Sequence, residues 1–229
     1  MKEAIIEVKH LQRRFSVGEI EIYAIKDISL EITKGEFVAL MGPSGAGKST
    51  TLNQLALLDT PTGGVLKILG KDVEHLNQKQ QTEFRLRHLG FVFQNYNLLP
   101  QLTALENVML PAMMLGKDKK DAIMDATRLL EKFDMGQRLN NYPSQLSGGQ
   151  QQKVSIARAL INKPAILFAD EPTASLDSKS SEVIMKLLRE LNKKERQTIV
   201  LVSHEPEHQQ LVDRTIWIKD GIVVEKSYV

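Results

Sequence analysis

The chain has 229 residues, of which 42% are hydrophobic and 25% are charged, and its net charge is +2. This composition is typical of a globular protein with one sizeable core, and the small net charge excludes bulk attraction to nucleic acid or to an anionic membrane. There is no cysteine, which excludes disulfides and thiolate metal sites.

The beginning of the chain gives no sign of a targeting segment. Residues 1–8 contain Lys2, Glu3 and Glu7, which do not suit a secretory signal. No window approaches the roughly 18 consecutive apolar residues of a membrane span. We therefore expect a cytoplasmic protein that reaches the membrane only through a partner.

The first half of the chain contains two kinds of predicted strand. Residues 5–8 and 19–32 are predicted to form short antiparallel strands separated by polar turns. Residues 37–41 are instead an uninterrupted apolar run, which is typical of a central parallel strand covered on both faces. Residues 165–169 and 198–202 have the same character. Each of these three runs is followed by polar residues, at the edge where α/β sheets bind ligands.

Helical patterns fill much of the remaining chain. Residues 103–160 are predicted to be mostly helical, with the clearest periodicity in 104–115 and 121–133. Between the last two apolar runs lies an amphipathic helix whose apolar residues are Val183, Ile184, Leu187, Leu188 and Leu191. Residues 215–218 and 222–224 are predicted to form a closing hairpin. The fold class is therefore α/β, with a parallel sheet, an antiparallel β part near the N-terminus and an inserted helical part.

A phosphate-binding loop is the strongest chemical motif. Residues 42–49 fit G-x-x-x-x-G-K-[ST], after a strand and before the helical residues 50–58, which is the context the motif requires. Its glycines let backbone N–H groups converge on phosphate oxygens at a helix N-terminus. Lys48 would reach the β- and γ-phosphates of a nucleotide, and the Ser49 hydroxyl would bind Mg²⁺. The alternative is a glycine-rich turn with an incidental lysine.

An acidic pair, Asp170 and Glu171, follows the apolar run 165–169. Packing explains such a pair poorly, because unpaired carboxylates are rarely buried. Asp170 would hold Mg²⁺ directly or through water, and Glu171 would orient or deprotonate an attacking water. By itself the pair could also be a helix N-cap.

The string Leu-Ser-Gly-Gly-Gln at residues 146–150 opens a helical stretch, 151–160, just before this acidic pair. It resembles the signature of the ATP-binding cassette ATPases, and the resemblance covers nearly the whole chain. The motifs that match in order are Phe15, the loop from Gly42 to Thr50, Gln94, Leu146 to Gln150, Asp170 with Glu171, Ser175-Leu176-Asp177, and His204.

The resemblance implies a P-loop NTPase (RecA-like) core formed by residues 1–94 and 161–229, with a helical signature subdomain at 95–160. It also implies a head-to-tail homodimer that holds two ATP molecules with Mg²⁺, each signature completing the partner's site. The predicted catalytic residues are Glu171, His204, Lys48 and Gln94. The predicted metal ligands are Ser49, Gln94 and Asp170. The predicted nucleotide contacts are Phe15, Gly42, Pro43, Ser44, Gly45, Ala46, Gly47, Lys48, Ser49, Thr50, Ser147, Gly148, Gly149, Gln150 and Asp177.

Two aromatic residues compete for the role of stacking on adenine. Phe15 occupies the position of the family's stacking aromatic. Tyr23, just before the apolar Ala24 and Ile25, is the alternative. We favour Phe15, because Tyr23 is predicted to belong to a strand that packs on the core.

Residues 204–208 satisfy H-E-x-x-H, the zinc-protease motif. That motif requires both histidines on one face of a continuous helix. Here His204 ends an apolar strand, and Pro206 suits the first turn of a helix rather than its interior. No third ligand is evident. We therefore interpret His208 as a solvated helix residue rather than a zinc ligand.

The segments around Gln94 and before the signature resemble the subgroup that serves lipoprotein release, macrolide or peptide efflux, and cell-division complexes. Lys153 stands where the family more often has arginine, so a local salt bridge should differ. The leading hypothesis is an ATPase that powers a separate membrane permease for export. The alternatives are a mechanical regulator of a membrane partner acting on the cell envelope, and a cassette protein working on ribosomes or DNA.

Overall fold

The computed structural model describes residues 3–18 and 20–225. Glu19, where the second predicted strand begins, lies outside them. In chain order the elements are β1 Ala4–Val17, β2 Ile20–Thr33, β3 Phe37–Met41, α1 Lys48–Leu55, β4 Gly63–Ile68, β5 Lys71–Asp72, α2 Gln78–His88, β6 Leu89–Val92, α3 Ala104–Met114, α4 Lys119–Lys132, α5 Gly148–Leu160, β7 Ile166–Asp170, α6 Ser178–Glu195, β8 Thr198–Val202, β9 Arg214–Lys219 and β10 Ile222–Val224. Short 3-10 turns occupy Gly136–Arg138, Pro143–Gln145 and Pro206–Gln210.

The chain forms two compact units. The first unit runs up to Gln81 and resumes at Leu191, and the second unit is Thr82–Glu190. The predicted helical subdomain, residues 95–160, falls inside the second unit, which also contains β6 and β7. Among the described residues, no helix combines the length and the apolar character needed to cross a bilayer.

The sheet of the first unit has an antiparallel and a parallel part. β1 pairs antiparallel with both β2 and β4, and β10 pairs antiparallel with β9. β3 lies between β8 and β9 and runs parallel to both. The strand order in this unit is β5-β4-β1-β2-β10-β9-β3-β8. The predicted α/β fold with an antiparallel β part is confirmed.

The apolar runs predicted as central strands form the core of this fold. β3 and β8 have the predicted bounds, and every residue in them is buried. Residues 165–169 correspond to β7, which is buried up to its last residue. In the second unit β7 runs parallel to β6, α5 packs on β6, and α3 packs on α5 through its buried apolar face.

The N-terminal strands differ from the prediction in length. β1 and β2 each have 14 residues, whereas short strands were expected. Their register shifts at four places, one of them between the pairs Val8–Leu30 and Leu11–Ile28. Such bulges insert an extra residue and reverse the alternation of side chains. The period-two pattern of one continuous strand is therefore broken in the sequence.

Candidate nucleotide-binding site

The loop between β3 and α1 requires glycine at two of its positions. Gly42 has φ +150°, and a Cβ there would lie 1.9 Å from the Ile218 carbonyl oxygen. Gly47 has φ +98°, and a Cβ there would lie 2.4 Å from the Ala24 carbonyl oxygen. Any side chain at either position would collide with backbone. The glycines of the motif therefore hold this loop closely against β2 and β9.

Lys48 is the first residue of α1, and its ammonium group returns over the loop. The Nζ atom donates hydrogen bonds to the carbonyl oxygens of Gly42, at 2.9 Å, and Pro43, at 2.8 Å. The side chain is 7% exposed, so the charge is fixed at the loop rather than in solvent. Ser49 follows on the first turn of α1 and is exposed.

The other loop residues differ in exposure. Ser44 and Gly45 are exposed, whereas Ala46 is buried. The Ala46 carbonyl accepts a hydrogen bond from the Gly221 N–H at 3.1 Å. Thr50 is half-buried on the first turn of α1. The exposed tip and the helix N-terminus are the parts of the loop that an anion can reach.

His204 is brought to the same edge of the sheet as this loop. β3 and β8 are parallel neighbours, with Leu40 opposite Val202. The Ser203 N–H donates to the Leu40 carbonyl at 3.3 Å, one residue beyond the end of β8. His204 follows with an exposed side chain. The first unit therefore joins the lysine of the loop and this histidine at the carboxyl ends of adjacent strands.

Phe15 and Tyr23 both lie on the exposed hairpin of β1 and β2. Phe15 is 41% exposed and Tyr23 is 47% exposed. As predicted, Tyr23 belongs to a strand that packs on the core, since Ile25, Ile28 and Ile32 of β2 are buried, but the Tyr23 side chain itself faces solvent. The two rings differ in their neighbours: the guanidinium carbon of Arg13 lies 4.3 Å from the centroid of Phe15, whereas the Tyr23 hydroxyl donates to Glu21 at 3.3 Å.

His208 is not a solvated residue, and that interpretation was wrong. It lies in the 3-10 turn Pro206–Gln210 and is 4% exposed. Its Nδ1 lies 2.8 Å from the Ser203 hydroxyl, and its Nε2 lies 3.2 Å from a Glu205 carboxylate oxygen. Burial lowers the pKa of His208, against the opposing effect of the Glu205 and Glu207 carboxylates. Among the described residues, no group of three or more His, Cys, Asp or Glu side chains is placed to hold a metal ion.

The acidic pair lies in the second unit at the end of β7. Asp170 is the last residue of the strand, and Glu171 begins the turn that follows. Both residues are half-buried. Glu171 has φ +43°, a left-handed conformation that costs a non-glycine residue about 1–2 kcal/mol. Strained backbone of this kind concentrates at functional sites.

The signature string forms the N-terminus of α5. Ser147 is the N-cap: its hydroxyl accepts from the Gln150 N–H at 3.3 Å, and the Gln150 amide oxygen accepts from the Ser147 N–H at 3.0 Å. This capping box fixes the first turn. Gly148 and Gly149 are the first two helical residues, so their N–H groups have no acceptor within the helix. They are suitable donors for an anion.

Asp177 lies next to the signature and caps α6. Its carboxylate accepts from the Ser180 N–H at 2.9 Å and from the Ser180 hydroxyl at 2.7 Å. These hydrogen bonds lower the pKa of Asp177. A Cβ on Gly149 would lie 3.1 Å from the Ser180 hydroxyl. The signature and the Asp177 turn are therefore adjacent.

Gln94 lies in an exposed turn after β6. Two residues further on, Tyr96 and Asn97 both have positive φ angles. Their carbonyl oxygens accept from the Arg158 guanidinium at 2.9 and 2.5 Å, and the Tyr96 hydroxyl donates to the Ser175 carbonyl at 3.3 Å. Arg158 was not predicted to be a site residue, because an arginine on a helix usually lies at the surface.

Lys153 forms a local contact that was expected to differ from the one made by the family's more common arginine. Its Nζ donates to the Phe133 carbonyl at 2.9 Å and lies 3.6 Å from the Asp134 carboxylate. A single ammonium satisfies both acceptors, so the planar fork of arginine is not needed for this contact.

A phosphate loop at the carboxyl edge of a parallel sheet defines the class of the protein as a P-loop nucleotide-binding α/β protein. The family model for ABC transporters matches residues 25–174. The chain belongs to the ABC transporter family, as one of its ATPase cassettes.

Relatives and solved structures agree with this placement. The chain is 49% identical, over 96% of its length and 98% of the relative's, to an uncharacterised ABC transporter ATP-binding protein of Methanocaldococcus jannaschii. It is 41% identical to the lipoprotein-releasing system ATP-binding protein LolD of Shewanella frigidimarina, over 97% of this chain and 93% of LolD. The dimeric post-hydrolysis structure of the cassette MJ0796 bound to ADP and Pi has a TM-score of 0.89 and 43% identity, and the match covers 96% of this chain and 97% of that one.

Other relatives are longer proteins. The macrolide export ATP-binding/permease protein MacB of Aggregatibacter actinomycetemcomitans is 50% identical over 97% of this chain but only 34% of its own length. The chain spans about a third of the length of the MacB relatives it matches.

Proposed function

We propose that this chain is the nucleotide-binding ATPase subunit of an export or extraction complex. Two copies would dimerise around two ATP molecules and power a separate membrane permease. The observation that carries this proposal is the phosphate loop, in which the Lys48 ammonium donates to the carbonyl oxygens of Gly42 and Pro43. His204 follows β8, the strand next to the one that leads into this loop. The match to LolD over nearly both whole chains supports a separate subunit.

The loop supplies the contacts for the triphosphate. Lys48 would bind the β- and γ-phosphate oxygens, while N–H groups of the loop and of α1 would bind the remaining oxygens. Ser49, Asp170 and Gln94 offer a hydroxyl, a carboxylate and an amide oxygen, the hard oxygen ligands that suit Mg²⁺. When bound, the metal would neutralise charge on the phosphates.

Hydrolysis needs a residue that directs water at the γ-phosphate. Glu171 is the candidate general base, and the fixed left-handed turn at this residue sets the direction of its side chain. Gln94 would help to orient the water. His204 would contact the γ-phosphate from the end of β8. The negative charge on the equatorial oxygens of the γ-phosphoryl group in the transition state would be stabilised mainly by positioned donors and cations.

A second copy of the chain would complete each site. The Ser147 hydroxyl and the N–H groups of Gly148 and Gly149 form a capped helix N-terminus, which favours an anion. In the proposed head-to-tail dimer these groups bind the γ-phosphate held by the partner's loop, and Asp177 crosses the interface. ATP would then act as the ligand that drives closure, and hydrolysis would reverse it.

The proposed permease contact lies near Gln94. We propose that residues 95–160 form the helical signature subdomain and that residues 1–94 and 161–229 form the nucleotide-binding core. The second unit exposes large apolar side chains at Leu99, Met113 and Met114, the type of surface that partners cover. The cassette would therefore sit at the cytoplasmic face of the membrane, and the substrate would be a peptide, drug or lipoprotein handled by the permease.

The variant Glu171→Gln tests the catalytic part of the proposal. It keeps the size and hydrogen-bonding capacity of the side chain but removes the base. We expect ATP binding to be kept, hydrolysis to fall by about 10²–10⁴-fold, and the ATP-bound dimer to accumulate in size-exclusion chromatography. Wild-type turnover by this variant would contradict the role of Glu171.

Isolation of the native complex tests the transport part. A copurifying membrane protein that conducts a substrate in vesicles, dependent on ATP, would support export. A partner that changes activity at the cell envelope without moving any substrate would instead identify a mechanical regulator.

A further inference from the structure

The turn after β8 contains three side chains joined by hydrogen bonds. The Ser203 hydroxyl lies 2.8 Å from His208 Nδ1 and accepts from the Glu205 N–H at 3.0 Å. His208 Nε2 lies 3.2 Å from the Glu205 carboxylate. The His208 N–H also donates to the Glu205 carbonyl at 3.2 Å. We call Ser203, Glu205 and His208 the switch-turn cluster.

One protonation state satisfies every side chain in this cluster. With a neutral imidazole, Nε2–H donates to the Glu205 carboxylate, and the Ser203 hydroxyl donates to Nδ1. Ser203 and His208 are 3% and 4% exposed, so solvent cannot replace a lost partner easily. Loss of either side chain would leave a buried polar group unpaired, which is the expensive case for a hydrogen bond.

A serine, a histidine and a carboxylate in series also resemble a hydrolytic triad. Two observations exclude that role for Ser203. Its hydroxyl is buried, so no substrate carbonyl can approach it, and its oxygen already accepts the Glu205 N–H. The hydrogen bonds of the switch-turn cluster therefore stabilise the conformation of the turn.

In the sequence, His204 lies between two members of the switch-turn cluster, Ser203 and Glu205. Ser203 before it is tied to His208 and, through its N–H, to the Leu40 carbonyl of β3 at 3.3 Å. Glu205 after it is tied to His208 through its carboxylate and its carbonyl. The backbone on both sides of the exposed His204 is therefore attached to one buried imidazole, beside the strand that leads into the phosphate loop.

We infer that His208 is a positioning residue for ATP hydrolysis, because it holds the turn that presents His204 to the γ-phosphate. The inference rests on the proposed function, in which His204 contacts that phosphate. A positioning role predicts that loss of His208 slows the hydrolytic step while nucleotide binding by the loop is retained. The match to H-E-x-x-H at residues 204–208 thus has a structural basis other than zinc.

The test compares His208→Leu with wild type in the full-length chain. Leucine fills most of the buried volume without hydrogen bonds. We expect kcat for MgATP to fall about tenfold or more, which corresponds to at least 1.4 kcal/mol of transition-state stabilisation. KM for MgATP in the His208→Leu variant should change less than about twofold, and so should the Kd for ATP, which is measured in the Glu171→Gln background to prevent turnover.

Two further variants separate positioning from general damage. His208→Asn places an amide oxygen near the position of Nδ1 and should recover part of kcat. Ser203→Ala removes the same hydrogen bond from the other side, so its effect should not add fully to that of His208→Leu. Should His208→Leu fail to fold, Ser203→Ala and His208→Asn carry the same test. His10→Leu is the control, because His10 is exposed and pairs with Asp27 on another strand.

His204→Ala distinguishes failure of this inference from failure of the proposed function. If His204→Ala retains wild-type kcat, the role of His204 is wrong and the inference fails with it. If His204→Ala is inactive but His208→Leu and Ser203→Ala keep wild-type kcat, only the inference is overturned. A loss of ATP affinity in His208→Leu equal to the loss in kcat would also overturn it.

Discussion

At the scale of single residues, Arg13 links the exposed aromatic ring of Phe15 to the body of the first unit. Its guanidinium lies over the ring and forms a two-pronged ion pair with Asp59, at 2.7 and 2.8 Å. Both charged side chains are partly buried, at 21% and 25% exposure. A guanidinium held in this way stacks on one face of the ring and limits its rotation. Of the two candidate aromatics, Phe15 is therefore the one whose ring packs against a guanidinium.

We predict that Arg13→Gln weakens ATP binding by about 2–5-fold with little change in kcat, since cation–π contacts contribute about 0.5–1 kcal/mol. The effect should be absent for inorganic triphosphate, which has no base to stack. Fluorescent-nucleotide competition measures both affinities.

Arg14→Gln is the matched control, because Arg14 lies on the same strand and pairs with Glu21 beside Tyr23. If Arg14→Gln weakened ATP binding and Arg13→Gln did not, Tyr23 would replace Phe15 as the adenine contact.

The buried imidazole of His208 also makes a pH-dependent contribution to stability. Burial lowers its pKa in the folded state, so the unfolded chain binds a proton more readily. The contribution is fully present above about pH 6.5, the unfolded value, and is lost as the pH falls toward the folded value. We predict that the denaturation midpoint falls more steeply between pH 7 and pH 5 in wild type than in His208→Asn. Identical slopes would show that the proton uptake comes from other groups.

At the scale of elements, the phosphate loop depends on close backbone contact at Gly42. We predict that Gly42→Ala lowers the free energy of unfolding by more than about 2 kcal/mol, because the added Cβ collides with the Ile218 carbonyl. Gly45→Ala is the control: Gly45 has φ +77° with no atom within 4 Å of the added Cβ. It should cost only the left-handed strain of about 1–2 kcal/mol. Urea denaturation compares the two, and equal losses would refute the role of the Ile218 contact.

The elements that the sequence predicted well are those with a strong apolar signal. β3 and β8 are unbroken buried runs, and their predicted bounds match the structure. The helix α2 went unpredicted because Phe84 is its one buried residue, so it has almost no apolar periodicity. The length of β1 and β2 was hidden by bulges.

Within the candidate site, the residues that belong to local sequence motifs were the ones that could be predicted. The loop and the signature have local patterns, and a helix follows each as predicted, although α1 ends at Leu55 rather than at residue 58 and α5 begins at Gly148 rather than at residue 151. The burial of His208 and the contacts of Arg158 depend on neighbours distant in sequence or on the path of a turn. The sequence does not show whether a polar side chain is exposed or buried. The burial of His208 and the contacts of Arg158 therefore could not be predicted from it.

At the scale of the whole molecule, the proposed dimer makes each ATP site depend on two chains. We predict that Lys48→Ala and Ser147→Arg are each inactive alone and that an equal mixture recovers about a quarter of wild-type activity. Half of the dimers are then mixed, and each has one intact site if the sites act independently. The measurement is phosphate release at saturating MgATP.

A mixture of Lys48→Ala with Glu171→Gln provides the control. In a mixed dimer of these two variants, each site lacks a residue that its own chain must supply, so no activity should return. Recovery in this control, or its absence in the first mixture, would contradict a shared site.

The phosphate loop can take its shape only after later parts of the chain have been synthesised. Gly42 contacts Ile218, and β3 pairs with β8 and β9. The phosphate loop is made early, whereas β8 and β9, the two strands that flank β3, are made only after residue 197. A nascent chain that does not yet include β8 and β9 lacks the neighbours that shape this loop, and contacts so distant in sequence form slowly. Nascent chains should acquire nucleotide binding only after β8 and β9 have been made, so that shorter polypeptides do not compete with folded cassettes for ATP.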